Sequence, residues 1–268
     1  MSLYPTVATT VQAFYRVNPL APPEVFTGLQ NFRDLFGSRA VRVSWANTGV
    51  YVLVGVVLST VLGVAFAHAL QRRFRFRGAV LAIIVLPWAL PAVVEAVIWN
   101  WIYDPNFGVL NNVLYSAHLI GDYHVWVGLH HWLTVTLIEL VQVWQITPLS
   151  ALIILAALQN IPRDLYEAAH VDGAHGWQTF RRVTLPLIRP AVGVATVQAI
   201  VLSLNVFDQV FILNGGATTG SSIMLQTYLT TFKSLNFGQG YALSLMATIA
   251  TALLSLSVLA LTSRRVEY

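Results

Sequence analysis

The sequence contains no cysteine and very little charge. Only 10% of its 268 residues are charged and 56% are hydrophobic, whereas a soluble domain carries about 25% charged residues. Without cysteine, neither a disulfide framework nor a thiolate metal site can form. The shortage of charge, together with apolar runs too long for a soluble core, indicates an integral membrane protein with one helical membrane domain.

Acidic residues are scarcer than basic ones, and the formal net charge is +4. The basic residues lie beside the apolar segments, which is typical of membrane orientation rather than of a nucleic-acid surface. We therefore expect no nucleic-acid partner. All the basic residues except Lys233 are arginines.

Five apolar segments reach the length of about 20 residues that a transmembrane helix needs. Backbone groups in lipid must bond within their own segment, so each is predicted to be helical and the fold class all-α. Pro87 and Pro91 predict a kink in the second segment, although proline is also tolerated in lipid helices. The segments are residues 46–70, 79–103, 132–158, 185–213 and 241–262.

The distribution of arginine predicts which connections face the cytoplasm. The connection 104–131 has no Arg or Lys, and 214–240 has only Lys233. The loop before the fourth segment and the C-terminus are therefore predicted to be cytoplasmic. The arginines on that side are Arg72, Arg73, Arg75, Arg77, Arg163, Arg181, Arg182, Arg189, Arg264 and Arg265.

Residues 163–186 form a polar island between two apolar segments, and their spacing predicts a helix, a corner and a second helix. Pro162 suits a helix start, and Gly173 suits the left-handed residue that ends a helix. A second short helix is expected at about 174–182. Leu185-Pro186 is expected to end it before the next segment, because the residue ahead of a proline resists the helical conformation.

This spacing resembles the cytoplasmic EAA coupling loop of the membrane subunits of bacterial ATP-binding-cassette importers, with Val183 where isoleucine is usual. In that family the loop docks on the ATP-hydrolysing subunit. The alternative is an ordinary amphipathic loop at the membrane surface with no coupling role. The resemblance assigns coupling to Glu167, Ala168, Ala169, Asp172, Gly173, Ala174, Leu185 and Pro186.

Other stretches resemble the maltose/glycerol-phosphate-type permeases, specifically the first of two unlike membrane subunits. They are residues 31–34, 86–88, 99–108, 205–208 and 214–216. The resemblance implies a type I importer permease with about five spans here. Its implied partners are a second permease, an ATPase dimer, an extracytoplasmic substrate-binding protein and membrane lipid.

The resemblance also implies the solute, a carbohydrate or glycerol-phosphate-like compound, and the location, a bacterial or archaeal cytoplasmic membrane. The chain itself is expected to be non-catalytic and without a cofactor, because ATP and Mg²⁺ belong to the partner ATPase.

Five spans with a cytoplasmic C-terminus place the segment 1–45 outside, as the remnant of a first helix. The family normally has a hydrophobic helix here, whereas residues 1–17 are short and polar. Either the true start lies upstream, which we favour, or the subunit lacks most of that helix. The predicted organisation is this segment, a permease domain at 46–262 with the coupling loop at 160–190, and a cytoplasmic tail at 263–268.

Polar residues inside the apolar segments are the candidates for the solute pathway, because burying them in hydrocarbon is costly. Asn205, Asp208 and Gln209 are spaced to form one stripe on a helix. Trp99 can stack on a sugar, and Gln142 can hydrogen-bond to one. Interhelical polar contact explains the stripe equally well, and for each tryptophan alone the membrane interface is the favoured explanation.

Two other classes of protein fit the sequence less well. A self-sufficient secondary transporter or channel is the alternative function, but it calls for internal repeats or paired intramembrane charges, and neither is evident. A membrane enzyme calls for a nucleophile or metal constellation. His124, His130 and His131 lack further ligands, so we expect no metal. The glycine-rich stretch 215–222 is interpreted as a turn, not a nucleotide loop.

Overall fold

The computed structural model describes residues 3–20, 22–72 and 74–262. The predicted tail at 263–268, with Arg264 and Arg265, and also Arg73 lie outside these residues. The helices are α1 (Leu3–Gln12), α2 (Gln30–Gly37), α3 (Arg39–Gln71), α4 (Arg77–Ala89), α5 (Ala92–Ile102), α6 (Val109–Ser116), α7 (His131–Gln159), α8 (Arg163–Val171), α9 (Gly176–Thr179), α10 (Leu185–Leu204), α11 (Asp208–Leu213), α12 (Ile223–Tyr228) and α13 (Phe237–Thr262).

Four short elements complete the described structure. Strands β1 (Tyr15–Arg16) and β2 (Val25–Phe26) pair antiparallel. Single turns of π-helix occupy Phe180–Thr184 and Leu229–Lys233.

Among the described residues, 4 helical stretches are long and apolar enough to cross a membrane: Arg39–Gln71, His131–Gln159, Gly176–Leu213 and Phe237–Thr262. The broken pair α4 and α5 makes a fifth candidate, so the prediction of an all-α membrane fold with about five spans is confirmed. Helix α3 begins at Arg39, earlier than predicted. Helix α1 is about 15 Å long, half of the hydrocarbon thickness of about 30 Å.

The second span is broken rather than kinked, and the break lies at Leu90-Pro91. Leu90 is extended, with ψ of 141°, because a residue ahead of proline avoids the helical conformation. Pro91 then precedes the first turn of α5 with φ of −59°, where its missing N–H costs nothing. Pro87 remains inside α4. Of the two prolines, Pro91 therefore makes the break.

The predicted helix end at Leu185-Pro186 is wrong. Residues 176–204 are continuously helical, and the π turn Phe180–Thr184 leads directly into α10. Within this turn the Leu185 N–H donates to the Phe180 carbonyl, five residues earlier. A proline in an α-helix clashes with the carbonyl four residues before it, and the wider turn removes this conflict for Pro186.

The structure divides into two compact units, each made of three chain segments. The second unit comprises Val54–Leu90, Val143–Leu202 and Leu253–Tyr268. Its core is formed by α3, α7 and α10, through residues such as Leu70, Ile154 and Ile188. Helices α3 and α7 approach closely at Gly63, where an added Cβ would lie 2.9 Å from Ser150 Cβ. Small residues allow this approach, as is common between membrane helices.

The first unit comprises Met1–Leu53, Pro91–Gln142 and Ser203–Ala252, and here α3 holds the loop that precedes α12. Asn47 Nδ2 donates to the Ser221 carbonyl at 3.0 Å. Thr48 Oγ1 accepts from the Ile223 N–H at 2.8 Å, and the Tyr51 hydroxyl donates to the Gly220 carbonyl at 2.8 Å. All three side chains on α3 are buried. Non-helical backbone is tolerated at membrane depth only where such partners satisfy it.

The fourth span is also interrupted, because α10 ends at Leu204 and α11 begins at Asp208. The Ser222 hydroxyl donates to the carbonyl of Val206 in this break at 2.7 Å. It also accepts from the Leu225 N–H at the start of α12. The prediction of one continuous helical stripe through Asn205, Asp208 and Gln209 is therefore wrong, since Asn205 belongs to the break and the other two to α11.

The contact between Tyr51 and Gly220 predicts a stability effect. Replacing Tyr51→Phe leaves a buried carbonyl without its donor, which costs about 1–3 kcal/mol of unfolding free energy. Denaturant titration of the purified protein measures this loss. Tyr123→Phe is the matched control, because Tyr123 is 43% exposed and water replaces any lost partner. Equal unfolding free energies for the two variants would contradict the anchoring role.

Candidate functional site

Helix α8 begins directly after a proline and ends just before a glycine, and these two residues define its length. Pro162 precedes it with φ of −58° and ψ of 138°, and Asp164 lies in its first turn. A carboxylate there is stabilised by the positive end of the helix dipole. His170 lies in the last turn. This start agrees with the prediction from the sequence.

The C-terminus of α8 is a Schellman motif. Gly173 has φ of +74°, its N–H donates to the His170 carbonyl at 3.0 Å, and the Ala174 N–H donates to the Ala169 carbonyl at 2.9 Å. Ala169 and Ala174 are both half-buried, as the hydrophobic contact of this motif requires. The left-handed Gly173 is confirmed. The motif explains why three residues separate Ala169 from Gly173.

One side of α8 faces away from the rest of the chain. We call it the outer face of α8, and its exposed residues are Asp164, Leu165, Glu167, Ala168 and Val171. Val171 is 87% exposed. Apolar side chains exposed between charged ones are typical of a surface that binds another protein. Tyr166 and Ala169, by contrast, are half-buried against the chain.

Several contacts fix the corner between α8 and α10. The Thr184 hydroxyl donates to the Tyr166 hydroxyl at 3.4 Å, and the Trp177 and Phe180 rings stack with centroids 5.6 Å apart. Asp172 caps α8 just before Gly173. The last predicted coupling residues, Leu185 and Pro186, open α10 and lie beyond the π turn. Single π turns are frequent at functional sites.

The candidate pathway residues all belong to the first unit. Gln209 and Gln142 are buried, Trp99 and Asp208 are half-buried, and Asn205 is exposed. Helix α11 packs against α5, so Trp99 lies in the hydrophobic cluster that includes Val206 and Val210 at and after the break. Gln142 follows Val141 of the same cluster on α7. The structure therefore gathers these elements around the break but not on one helix face.

Asp208 lies at a helix start that the sequence pattern did not show. It is the first residue of α11, where a carboxylate interacts favourably with the helix dipole. Three aromatic rings surround this end of α11. Phe207 stacks on Phe211 with centroids 5.4 Å apart, and Tyr228 contacts them at 5.4 and 5.6 Å respectively.

Some residues of the site were not identified from the sequence. Tyr228 is distant in sequence, and no local pattern links it to Phe207. Asn47, Thr48 and Tyr51 did carry a signal, because they are polar residues within one turn of an otherwise apolar span. Their role in holding the loop 214–222 became visible only in the structure.

Acidic and histidine residues do not converge on a metal site within the described part of the chain. The His124 ring stacks on Trp126, and its Nδ1 lies 2.6 Å from the Asp122 carbonyl oxygen. The glycine-rich stretch forms a loop in which Gly215, Gly216 and Gly220 have positive φ. Glu139 is buried on α7, and neither of its carboxylate oxygens has a hydrogen-bond partner among the described residues.

Related sequences agree on the kind of protein. The chain is 32% identical over 253 residues to the trehalose/maltose transport system permease protein MalF of Thermococcus litoralis, covering 92% of this chain and 83% of that protein. It is 31% identical to the trehalose transport system permease protein SugA of Mycobacterium tuberculosis, covering 85% of this chain and 73% of that protein. It is 30% identical to the sulfoquinovosyl glycerol transport system permease protein SmoG of Agrobacterium fabrum, covering 91% and 79%.

Solved structures share the fold. A chain of a bacterial ABC transporter that imports the acidic polysaccharide alginate superposes with a TM-score of 0.84 at 22% identity, covering 100% of this chain and 91% of that chain. A chain of the MetNI methionine ABC transporter gives 0.60 at 18% identity, covering 87% and 97%. The profile described as "Binding-protein-dependent transport system inner membrane component" matches residues 59–264. Because this match covers most of the chain, the protein belongs to that family of integral membrane transport components.

Proposed function

We propose that this chain is the first of two unlike permease subunits in an ATP-driven importer of a carbohydrate. The family supports the transport role, and the names of the related permeases support the solute class, which includes sugars, oligosaccharides and glycerol-linked sugars. The partners in this proposal are a second permease, an ATPase dimer and an extracytoplasmic substrate-binding protein. The proposed location is the cytoplasmic membrane of a bacterium or archaeon.

The proposal depends on α8 above all. Its outer face offers Leu165, Ala168 and Val171 to a partner in water, while Glu167 supplies a polar contact. The Schellman motif and the bond between Thr184 and Tyr166 hold α8 against the start of α10. In the proposed mechanism the ATPase dimer grips this face, and its closure on ATP moves α8 and the attached spans as one body.

The chain contributes no catalytic step in this mechanism. ATP and Mg²⁺ bind to the partner ATPase, and the chain holds no cofactor. Its part is to convert a movement at the outer face of α8 into a change of access for the solute.

The solute pathway is proposed to pass the break in the fourth span. Asn205, Asp208 and Gln209 surround this break, with Trp99 and Gln142 on the neighbouring helices. Broken helices in transporters place backbone dipoles and polar side chains at the solute. Sugars combine hydroxyl groups with apolar ring faces, and they suit amides and carboxylates beside aromatic rings such as Phe207 and Phe211.

The orientation can be tested by labelling, because the chain has no native cysteine. Glu167→Cys is expected to react with a membrane-impermeant maleimide only after the membrane is permeabilised. Asp122→Cys is the matched control, since Asp122 is exposed in a connection predicted to lie outside. It should react in intact cells. Labelling of Glu167→Cys in intact cells would overturn the proposal.

Gly173→Ala tests the coupling corner. A non-glycine residue in the left-handed conformation costs about 1–2 kcal/mol, so amide exchange at the end of α8 should accelerate about 5- to 30-fold. We expect the complex to assemble, but its solute-stimulated ATPase activity to fall. Gly78→Ala is the control, because Gly78 has open space and no positive φ. If the Gly173→Ala complex shows faster amide exchange but normal solute stimulation of its ATPase activity, the corner has no role in coupling.

Asp208→Asn tests the pathway. It keeps the size of the side chain and removes its charge at the start of α11, so we expect an uptake KM raised about tenfold, as for the loss of one charged hydrogen bond of about 1.5 kcal/mol. Uptake by proteoliposomes with equal amounts of assembled complex gives the measurement. Asp122→Asn, at an exposed position, should leave KM unchanged. An unchanged KM for Asp208→Asn excludes its carboxylate from the pathway.

A further inference from the structure

The second unit contains a cavity of about 820 Å³ that the transport mechanism does not use. Ligand sites usually measure about 300–1,000 Å³. The cavity is lined by α3, by α8 and by the corner that follows α8. From α8 it takes Tyr166 and His170 only, and none of the outer-face residues contributes to it. A ligand here would therefore not compete with an ATPase bound to the outer face of α8.

The α3 wall of the cavity changes in polarity along its length. Its residues recur at about four-residue intervals on one side of the helix and extend over about 18 Å. At one end Val61, Val64 and Ala65 give an apolar surface, and Val61 is 59% exposed. At the other end His68, and Arg72 directly after the end of α3, are exposed and polar. This order of apolar wall and basic end matches the two parts of a phospholipid.

The wall opposite α3 also has a basic residue and aromatic rings. His170 lies in the last turn of α8, and the ring of Phe180 contacts His68 with centroids 5.7 Å apart. Trp177 lines the cavity and is 71% exposed. Tryptophan is favoured at the level of lipid headgroups. Within the part of the chain that the structure describes, no carboxylate lines the cavity.

We propose that an anionic phospholipid, such as phosphatidylglycerol, occupies this cavity. Its phosphate binds between Arg72, His68 and His170, and an acyl chain lies along Val61 and Val64. Arginine binds phosphate oxygens through paired N–H groups, and basic pockets on the cytoplasmic side of membrane proteins bind anionic headgroups. The proposal rests on the cytoplasmic orientation of α8 given above.

A lipid in this position contacts both α3 and the corner after α8. It therefore fills the space between the membrane helix and the element that is proposed to receive the ATPase movement. We expect its presence to brace the corner.

Lipid retention tests the proposal directly. The complex is isolated through a tag on this chain, transferred into nanodiscs of phosphatidylcholine and phosphatidylglycerol, and released for native mass spectrometry. Arg72→Gln and His170→Gln should each lower retained phosphatidylglycerol relative to phosphatidylcholine about fivefold. Arg75→Gln is the matched control, because Arg75 is a nearby exposed arginine that does not line the cavity. Equal retention in all variants overturns the proposal.

A photoreactive phenylalanine in place of Val61 identifies the occupant. Cross-linking to phosphatidylglycerol supports the proposal. Cross-linking to another polypeptide of the complex overturns the proposal, because the cavity is then a protein interface. Cross-linking to phosphatidylcholine and phosphatidylglycerol without preference overturns the assignment of an anionic headgroup. These readouts need neither ATP hydrolysis nor uptake. The proposed function can thus fail in the labelling or coupling tests while lipid binding stands, and the converse also holds.

Discussion

The need to satisfy every backbone polar group away from water governs this fold, because nothing in lipid replaces a missing hydrogen bond. Long helices meet the need by themselves. Where a helix is interrupted, the free backbone groups need hydrogen-bond partners from other parts of the chain. The break in the fourth span has the Ser222 hydroxyl on the Val206 carbonyl, and the loop before α12 has Asn47, Thr48 and Tyr51. Buried polar side chains thus satisfy the backbone at both interruptions, while others, such as Glu139 and Gln142, lie within a long helix.

Where the responsible interactions are local, the sequence predicted the structure well. The start of α8 after Pro162 and its end at Gly173 depend on residues within a few positions, and both predictions are correct. The spans likewise follow from continuous apolar runs. The proline rule succeeded at Leu90-Pro91 and failed at Leu185-Pro186, although the dipeptide is the same. The difference is the π turn ahead of Pro186, which moves the obstructing carbonyl and which residue preference alone does not reveal.

Where the interactions are distant, the sequence could not predict the structure. Tyr51 and Gly220 are 169 positions apart, and Thr48 and Ile223 are 175 positions apart. Nothing in either segment specifies the other. The error in the stripe through Asn205, Asp208 and Gln209 has the same origin, since helical spacing was assumed across a break that is stabilised by Ser222 from a later segment. The individual residues were sensible candidates, but their geometry depended on a contact that periodicity cannot show.

The failed proline prediction changes the view of how a movement at α8 would travel. A helix end at Leu185-Pro186 would have separated the corner from the fourth span by a flexible joint. Instead, residues 176–204 form one helical rod of about 43 Å. The rod begins beside the Schellman corner and ends directly before the break that contains Asn205. Its π turn lies next to α8 rather than next to the break, and Pro190 inside α10 is a second departure from regular α-helix. If the ATPase moves α8 as proposed, the movement meets a continuous helix that runs from the end of the corner to Leu204, with no non-helical joint at Leu185-Pro186.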